Sequence, residues 1–284
     1  MQIVFGANID PAHADPSAPV RHAVAAEQLG YDFLTVQDHP YQRRHFDAWT
    51  LVTYLAARTE RITVVPTVAC LPLRPPAVLA KSVASLHLLT GGRVQLGLGT
   101  GAFWDAIEAM GGPRREPRES VDALIEAIAV IRLMWSGEGS VRFAGTYYQL
   151  AGVKPGPASS AGIWLGAYGP RMLRVTGELA DGWLPSAGHL PLERLAEASA
   201  RVDDAATRAG RDPLSLRKVY NLAGMVGGSA GGFAGPAEEW AELMIHAVSL
   251  GVNGFSFWPT TDVERQLEVF AHEVVPVVRA EFEE

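Results

Sequence analysis

Short apolar runs ended by glycine or proline alternate along this chain with longer stretches whose apolar residues recur at helical spacing. A run that stays apolar without alternation suits a strand covered on both faces, as in a parallel sheet. Reading runs as strands and periodic stretches as crossover helices predicts strands at 3–8, 31–37, 61–70, 93–98, 163–167, 182–185, 216–226 and 254–258. The helices predicted between and after them are 20–30, 46–58, 77–89, a pair at 102–110 and 118–135, then 170–179, 192–209, 236–250 and 263–280. One stretch breaks the beat: residues 141–150 alternate on both sides of Ala144-Gly145 and read as a hairpin. Eight strands, each followed by a helix, predict an α/β protein, a closed (β/α)8 TIM barrel with an inserted hairpin segment near 137–160 and one domain over 1–284. The glycine-rich stretch 227–235 follows the seventh strand and reads as a mobile loop, a lid at the barrel mouth.

Composition narrows the partners. At 48% hydrophobic and 19% charged residues the chain has material for a large core, so disorder is excluded. A net charge of −7 argues against nucleic acid and against an anionic membrane surface, and leaves a small-molecule substrate. No apolar run approaches the length of a membrane span, and Met1-Gln2-Ile3-Val4-Phe5 enters a strand without a signal-peptide pattern, so a cytoplasmic protein is expected. The lone cysteine, Cys70, fits a reducing compartment and reads as a core residue.

In such a barrel, chemistry collects at the carboxyl ends of the strands. After the fourth strand, Gly97, Gly99 and Gly101 let the backbone turn sharply and a ligand approach its N–H groups. Gly97-x-Gly99-x-x-Ala102 also fits a dinucleotide fingerprint, but 113–118 is a polar loop where that fold needs a strand ending in an acid; a simple tight turn is the other reading. After the second strand stand Asp38 and His39, an imidazole able to hold or move a proton at the mouth, or a capped turn. The prolines of 66–76 make a stiff segment after the third strand, and Gly166-Ala167-Tyr168-Gly169 before Pro170 make a cradle for an anion at a helix start. Trp104, Trp183 and Trp258 fall near strand ends, where aromatic rings pack on flat ligands. No metal is expected, because His13, His22, His45, His87, His189, His246 and His272 form no ligand pattern. Asp105, Glu108 and Glu116 are not fixed as a facing pair, so a glycosidase has no support beyond fold.

Gln37-Asp38-His39, the run from Thr67 to Lys81, Gly91 to Gly101, Gly166 to Met172 and Ala180-Asp181-Gly182-Trp183 together resemble the bacterial luciferase-like family of oxidoreductases, in the family's order and over nearly the whole chain. The resemblance implies a barrel that binds FMN or the deazaflavin coenzyme F420 at its mouth and passes hydride between that ring and a small organic substrate. It implies His39, with Asp38 beside it, as the polar group next to the reactive part of the ring. It makes Val68 and Ala69 the bulge that backs the ring, often through a cis non-proline peptide, gives Thr100 and Gly101 the linker chain, and gives Gly166, Ala167, Tyr168 and Gly169 the phosphate. It also implies a homodimer. Ala102 departs from the glutamate of the family's sugar-phosphate dehydrogenases, which puts that activity in doubt. The compact length favours coenzyme F420 over FMN. The alternatives are an FMN-dependent monooxygenase using oxygen, a barrel hydrolase of a phosphorylated or glycosidic substrate, and a cofactor-binding accessory subunit.

Overall fold

The alternating apolar runs build a ring of parallel strands in the computed structural model, which describes residues 2–228 and 232–282. The chain runs β1 (Val4–Asn8), α1 (Ala18–Gln28), β2 (Phe33–Val36), α2 (Ala48–Arg58), β3 (Thr63–Pro66), β4 (Ala69–Cys70), α3 (Pro76–Leu89), β5 (Leu96–Gly99), α4 (Trp104–Ala109) and α5 (Pro117–Trp135). A hairpin of β6 (Val141–Ala144) and β7 (Gln149–Val153) follows. Then come β8 (Ile163–Leu165), α6 (Pro170–Leu179), β9 (Gly182–Trp183), α7 (Leu195–Arg208), β10 (Arg217–Val226), β11 (Phe233–Gly235), α8 (Ala237–Ser249), β12 (Gly254–Pro259), α9 (Val263–Val269) and α10 (Val275–Phe282).

The strands pair in the order β3-β2-β1-β12-β10-β9-β8-β5-β4, all parallel. A bridge between Val64 of β3 and Val94, just before β5, closes that order into a ring. There Val64 N donates to Arg93 O at 2.9 Å and Gln95 N to Val64 O at 3.1 Å. The expected (β/α)8 barrel is therefore present, its third stave split in two. Residues 61–70 are not one strand because Pro66 brings no N–H to the ladder, and the Thr67–Val68 peptide beyond it is cis.

The barrel is filled below its mouth. Phe33, Val65, Trp164, Leu184 and Val219 pack as an inner cluster, with the Phe33 and Trp164 rings edge to face at 6.0 Å. Glycines make room for them: a Cβ on Gly6 would fall 2.1 Å from the Phe33 ring, and one on Gly182 2.6 Å from Trp164. A plugged interior leaves the carboxyl ends of the strands as the open end. Outside the ring, Phe5, Phe255, Phe257, Phe270 and Trp240 are buried against the helices.

Local chemistry sets the helix starts. The Asp47 carboxylate accepts from Thr50 N at 2.8 Å, Glu116 and Glu119 form a capping box at α5, and α3, α5 and α6 carry proline in their first positions. The inserted hairpin is also present. Its turn is held to α5 by the Glu126 carboxylate, which accepts from the amides of Thr146, Tyr147 and Tyr148 at 2.8, 2.8 and 3.1 Å.

Two expectations need correcting. Within 227–235, residues 229–231 lie outside the described residues, but Phe233–Gly235 is not loop: it pairs with Gly224–Val226 as β11. Gly224 allows this approach, since a Cβ there would lie 1.9 Å from Phe233 O, and the Phe233 ring packs on Trp240 at 4.9 Å. The last helix, expected as continuous over 263–280, runs from Val263 to Phe282 but widens by a turn at Phe270–Val274. Among the described residues no helix is long and apolar enough to cross a membrane.

Candidate active site at the barrel mouth

The carboxyl ends of the strands surround a cavity of about 390 Å³, a size that suits a small organic ligand. Its walls include Asn8 at the end of β1, Asp38, His39 and Tyr41 beyond β2, Thr67 to Cys70, Gly99 to Phe103, Gly166 and Tyr168, Ser186 and His189, Asn221 and Trp258. The sequence candidates Asp38, His39, Val68, Ala69, Thr100, Gly101, Gly166 and Tyr168 thus meet in one place.

His39 is half-buried, and its Nδ1 lies 2.8 Å from the Tyr41 hydroxyl. Phe103 meets the imidazole edge-on at 5.6 Å, and His45 lies 6.3 Å away. Burial, with a smaller push from His45, lowers the His39 pKa below the usual imidazole value against the pull of Asp38. The ring is therefore neutral at pH 7, able to present either a donor or an acceptor.

Asp38 stands beside His39 at the mouth, as expected, with its carboxylate taken up by other groups. Its carboxylate is buried, and its oxygens accept from Arg74 Nε at 2.6 Å, Arg74 Nη2 at 2.7 Å and Cys70 N at 2.8 Å. Arg74 reaches on to Asp47, the cap of α2, at 2.6 Å. A carboxylate engaged in this way by a guanidinium and an amide braces the segments it joins. It ties the end of β2 to β4 and to the start of α2. Cys70 proves to line the cavity as well as the core, and burial together with the nearby Asp38 charge pushes its thiol up to about 11. It is a thiol, not a thiolate, at neutral pH.

Two of the residues that line the cavity carry a buried polar atom with nothing to bond. Asn8 Oδ1 and Thr67 Oγ1 are buried without a hydrogen-bond partner among the described residues. The amide nitrogen of Asn8 is committed to Thr35 Oγ1 at 3.0 Å, and Thr35 to Ser256 Oγ at 2.9 Å, which fixes the Asn8 carbonyl in place. An unmet buried acceptor is unfavourable by roughly 1–3 kcal/mol unless a ligand supplies its partner. Sequence reasoning missed Asn8, because a single Asn in an apolar strand carries no motif, and took Thr67 only as the start of a longer run. The one signal available was a polar residue at the carboxyl end of a barrel strand.

The opposite wall is backbone. A Cβ on Gly99 would stand 2.5 Å from Val68 Cγ2, and one on Gly166 3.4 Å from Val68 Cγ1, so both glycines close around that side chain. Gly101 has φ +95°, and a Cβ there would sit 2.8 Å from Pro72. Gly97 serves the barrel instead of a ligand: its Cβ would collide with Pro66 O at 1.8 Å. Past Thr100 and Gly101 the cavity adjoins a groove of about 780 Å³ between the starts of α5 and α6, lined by Gly169, Arg118, Arg171 and Arg174. Ala167, expected with its neighbours at the phosphate, is buried behind this wall, where its carbonyl accepts the Trp183 indole N–H at 2.9 Å. Trp183 is accordingly core, whereas Trp258 lines the cavity and Trp104 the groove. Glu116 caps α5, and Asp105 and Glu108 pair with Arg114 at the surface. Asp38 is the one carboxylate among the cavity's lining residues, and among the described residues no cluster is arranged to hold a metal ion.

Comparison with known proteins gives a consistent result. Residues 2–254 match the model of the family described as luciferase-like monooxygenase. The F420-dependent hydroxymycolic acid dehydrogenase of Mycobacterium tuberculosis is 36% identical over 219 residues, covering 73% of this chain and 59% of that enzyme. The chain therefore spans about three fifths of that relative's length. The F420-dependent glucose-6-phosphate dehydrogenase of Intrasporangium calvum is 32% identical over 245 residues, 82% of this chain and 72% of the relative. Among solved structures, an F420-dependent secondary alcohol dehydrogenase in complex with an F420-acetone adduct superposes with a TM-score of 0.87 at 20% identity, covering 98% of this chain and 100% of that one. A riboflavin lyase holding modified FMN superposes with a TM-score of 0.85 at 14% identity, over 99% and 92% of the two chains. Both likenesses speak to the fold.

Proposed function

This chain belongs to the luciferase-like monooxygenase family, and on that premise we propose that it is an oxidoreductase transferring hydride between coenzyme F420 and a small organic substrate. The observation that carries the reading is the cavity itself: a largely apolar chamber at the barrel mouth, walled by Val68 and glycine backbone, that offers a ligand His39 as a polar contact. A flat ring with a polar edge meets those requirements, and two relatives that match most of this chain are named as F420-dependent. When bound, the deazaflavin ring supplies or accepts the hydride.

The chain's own residues do the rest. Val68 and Ala69 form the wall that backs the ring, Thr100 and Gly101 flank its linker, and Gly166, Tyr168 and Gly169 with the first turn of α6 hold the anionic group. Ala167 supports that turn from behind. His39 holds a hydrogen bond to the substrate oxygen, while Phe103 and Trp258 exclude water from the chamber. Asp38 acts through Arg74 and the Cys70 amide to keep His39 at the mouth. Ala102 leaves no acid after the glycines, so His39 is the group on which proton handling falls. The same proposal takes the protein as one domain, a cytoplasmic homodimer whose lone thiol suits a reducing compartment.

Titration of the purified protein with coenzyme F420 and with FMN, followed by fluorescence, tests the reading. Binding well below millimolar is expected for F420; a Kd above about 1 mM for both, roughly −4 kcal/mol, overturns it. The family's name favours a second reading, an FMN-dependent monooxygenase. Tighter binding of FMN with oxygen uptake in the presence of substrate would select that one.

A further inference from the structure

We propose that Tyr41 is a positioning residue that holds His39 in the tautomer with its proton on Nε2, so that the site offers a donor to a carbonyl oxygen and takes aldehydes or ketones as substrates. The inference deepens the hydride-transfer reading and rests on it for the substrate class, but not for the tautomer.

The argument starts from two atoms 2.8 Å apart, His39 Nδ1 and the Tyr41 hydroxyl oxygen. A neutral imidazole carries one N–H, and which nitrogen bears it is decided by the partner of the other. The phenol is much the stronger acid of the two groups, so the favoured sense is O–H donating to a bare Nδ1. The reverse sense would leave the Tyr41 proton needing another acceptor, and among the described residues the hydroxyl makes its one hydrogen bond to His39. Burial raises the Tyr41 pKa and lowers that of His39, so the phenol keeps its proton and the imidazole stays uncharged.

Packing holds the arrangement. Phe103 lies edge-on to His39 at 5.6 Å and 5.7 Å from the Tyr41 ring, so the two rings are fixed against a common neighbour. The groups facing the pair are His45 from the approach to α2, Asp38 beside His39, and the Cys70 thiol near Tyr41. Asp38 is paired with Arg74. With Nδ1 occupied, the proton of the ring sits on Nε2. As a hydride from the reduced deazaflavin adds to the carbonyl carbon and the C=O π pair moves to oxygen, a fixed N–H donor would stabilise the negative charge there; the alkoxide would take the Nε2 proton to give the alcohol, and water would return a proton to the ring.

The test uses the full chain labelled with ¹⁵N, without cofactor. Two-bond ¹H–¹⁵N spectra of the wild type are expected to show His39 Nδ1 as bare and Nε2 as protonated; the opposite assignment overturns the proposal, and it does so whether or not any cofactor binds. In Tyr41→Phe the ring should become a mixture of tautomers and its pKa should rise, because the bond that favoured the neutral form is gone. An unchanged spectrum overturns Tyr41 as the cause. Should this variant fail to fold, the wild-type spectrum still decides the tautomer. Kinetics with reduced coenzyme F420 and a panel of short ketones give the second readout. Tyr41→Phe should lower kcat about tenfold to a hundredfold with KM and cofactor Kd within twofold, and should move the acid limb of the kcat profile to higher pH. A change confined to KM, or turnover of no ketone by wild-type protein that binds F420, counts against the substrate assignment.

Discussion

The two sides of the cavity are made of different material. The side formed beyond β2 and by β4 is built from side chains that hold one another: Arg74 joins Asp38 to Asp47, Tyr41 holds His39, and Phe103 packs on both. The side beyond β5 and β8 is built from glycine backbone folded round Val68. Side chains that brace each other can set a proton and a tautomer but leave little room, whereas glycine backbone leaves room but sets no proton. The division teaches that chemistry and fit are separable here, and substitutions on the two sides should fail in different ways.

The largest effect is expected from His39→Ala, which should lower kcat about a thousandfold while cofactor affinity changes little. Loss of affinity with kcat preserved would erase the distinction between the two sides. The pH profile sharpens it. Because burial lowers the His39 pKa in the folded protein, kcat should be full at neutral pH and fall as the solution is acidified through that lowered value. The unfolded chain binds the His39 proton more readily than the folded one, so this group's part in stability rises with pH and is lost below the ordinary imidazole value of 6.5.

Next is Asp38→Ala. Removing a buried carboxylate that pairs with Arg74 should destabilise the fold by about 3 kcal/mol, at the lower end for a broken buried pair because Arg74 keeps Asp47. A denaturant titration reads this, and a change below about 0.5 kcal/mol would mean that the brace carries no load. On the glycine side, Gly101→Ala should lose about 1–2 kcal/mol of stability, since its φ of +95° and the contact with Pro72 both oppose a Cβ. Gly166→Leu, where a Cβ itself fits, should weaken cofactor binding roughly tenfold with the melting temperature nearly unchanged. The smallest effect belongs to Cys70, whose raised pKa should make alkylation slow at pH 8 and slower still in the presence of cofactor.

Much of this was legible in the chain, and the failures have physical reasons. Apolar runs marked the staves because a strand buried on both faces must be apolar throughout. They could not mark the break at Pro66, since Val64, Val65 and Val68 are as apolar as any stave. Phe233–Gly235 escaped notice because three residues among glycines have loop composition, and what makes them a strand is the close approach allowed by Gly224, a tertiary fact. In the site, His39, Val68, Thr100, Gly101 and Gly166 were found through motifs and sit round the cavity. Asp38 was found without its partner, because a carboxylate beside a histidine looks free until its arginine arrives from 36 residues away. Asn8 belonged to no motif and Thr67 only opened a longer one, and what sets both apart is a buried oxygen without a partner among the described residues.

The hydrogen-bonded ring is thinnest between β3 and β5, where the Val64–Val94 bridge stands alone until β4 takes up the ladder at Ala69 opposite Leu98. Val68 lies across that seam. Whatever stacks on it acts as a rivet through the weakest joint of the barrel, so filling the chamber and tightening the wall become one event. The amides of Val64 and Gln95 should then exchange with solvent more slowly in the loaded protein than in the empty one, and the barrel emptied of ligand should come apart along this line first.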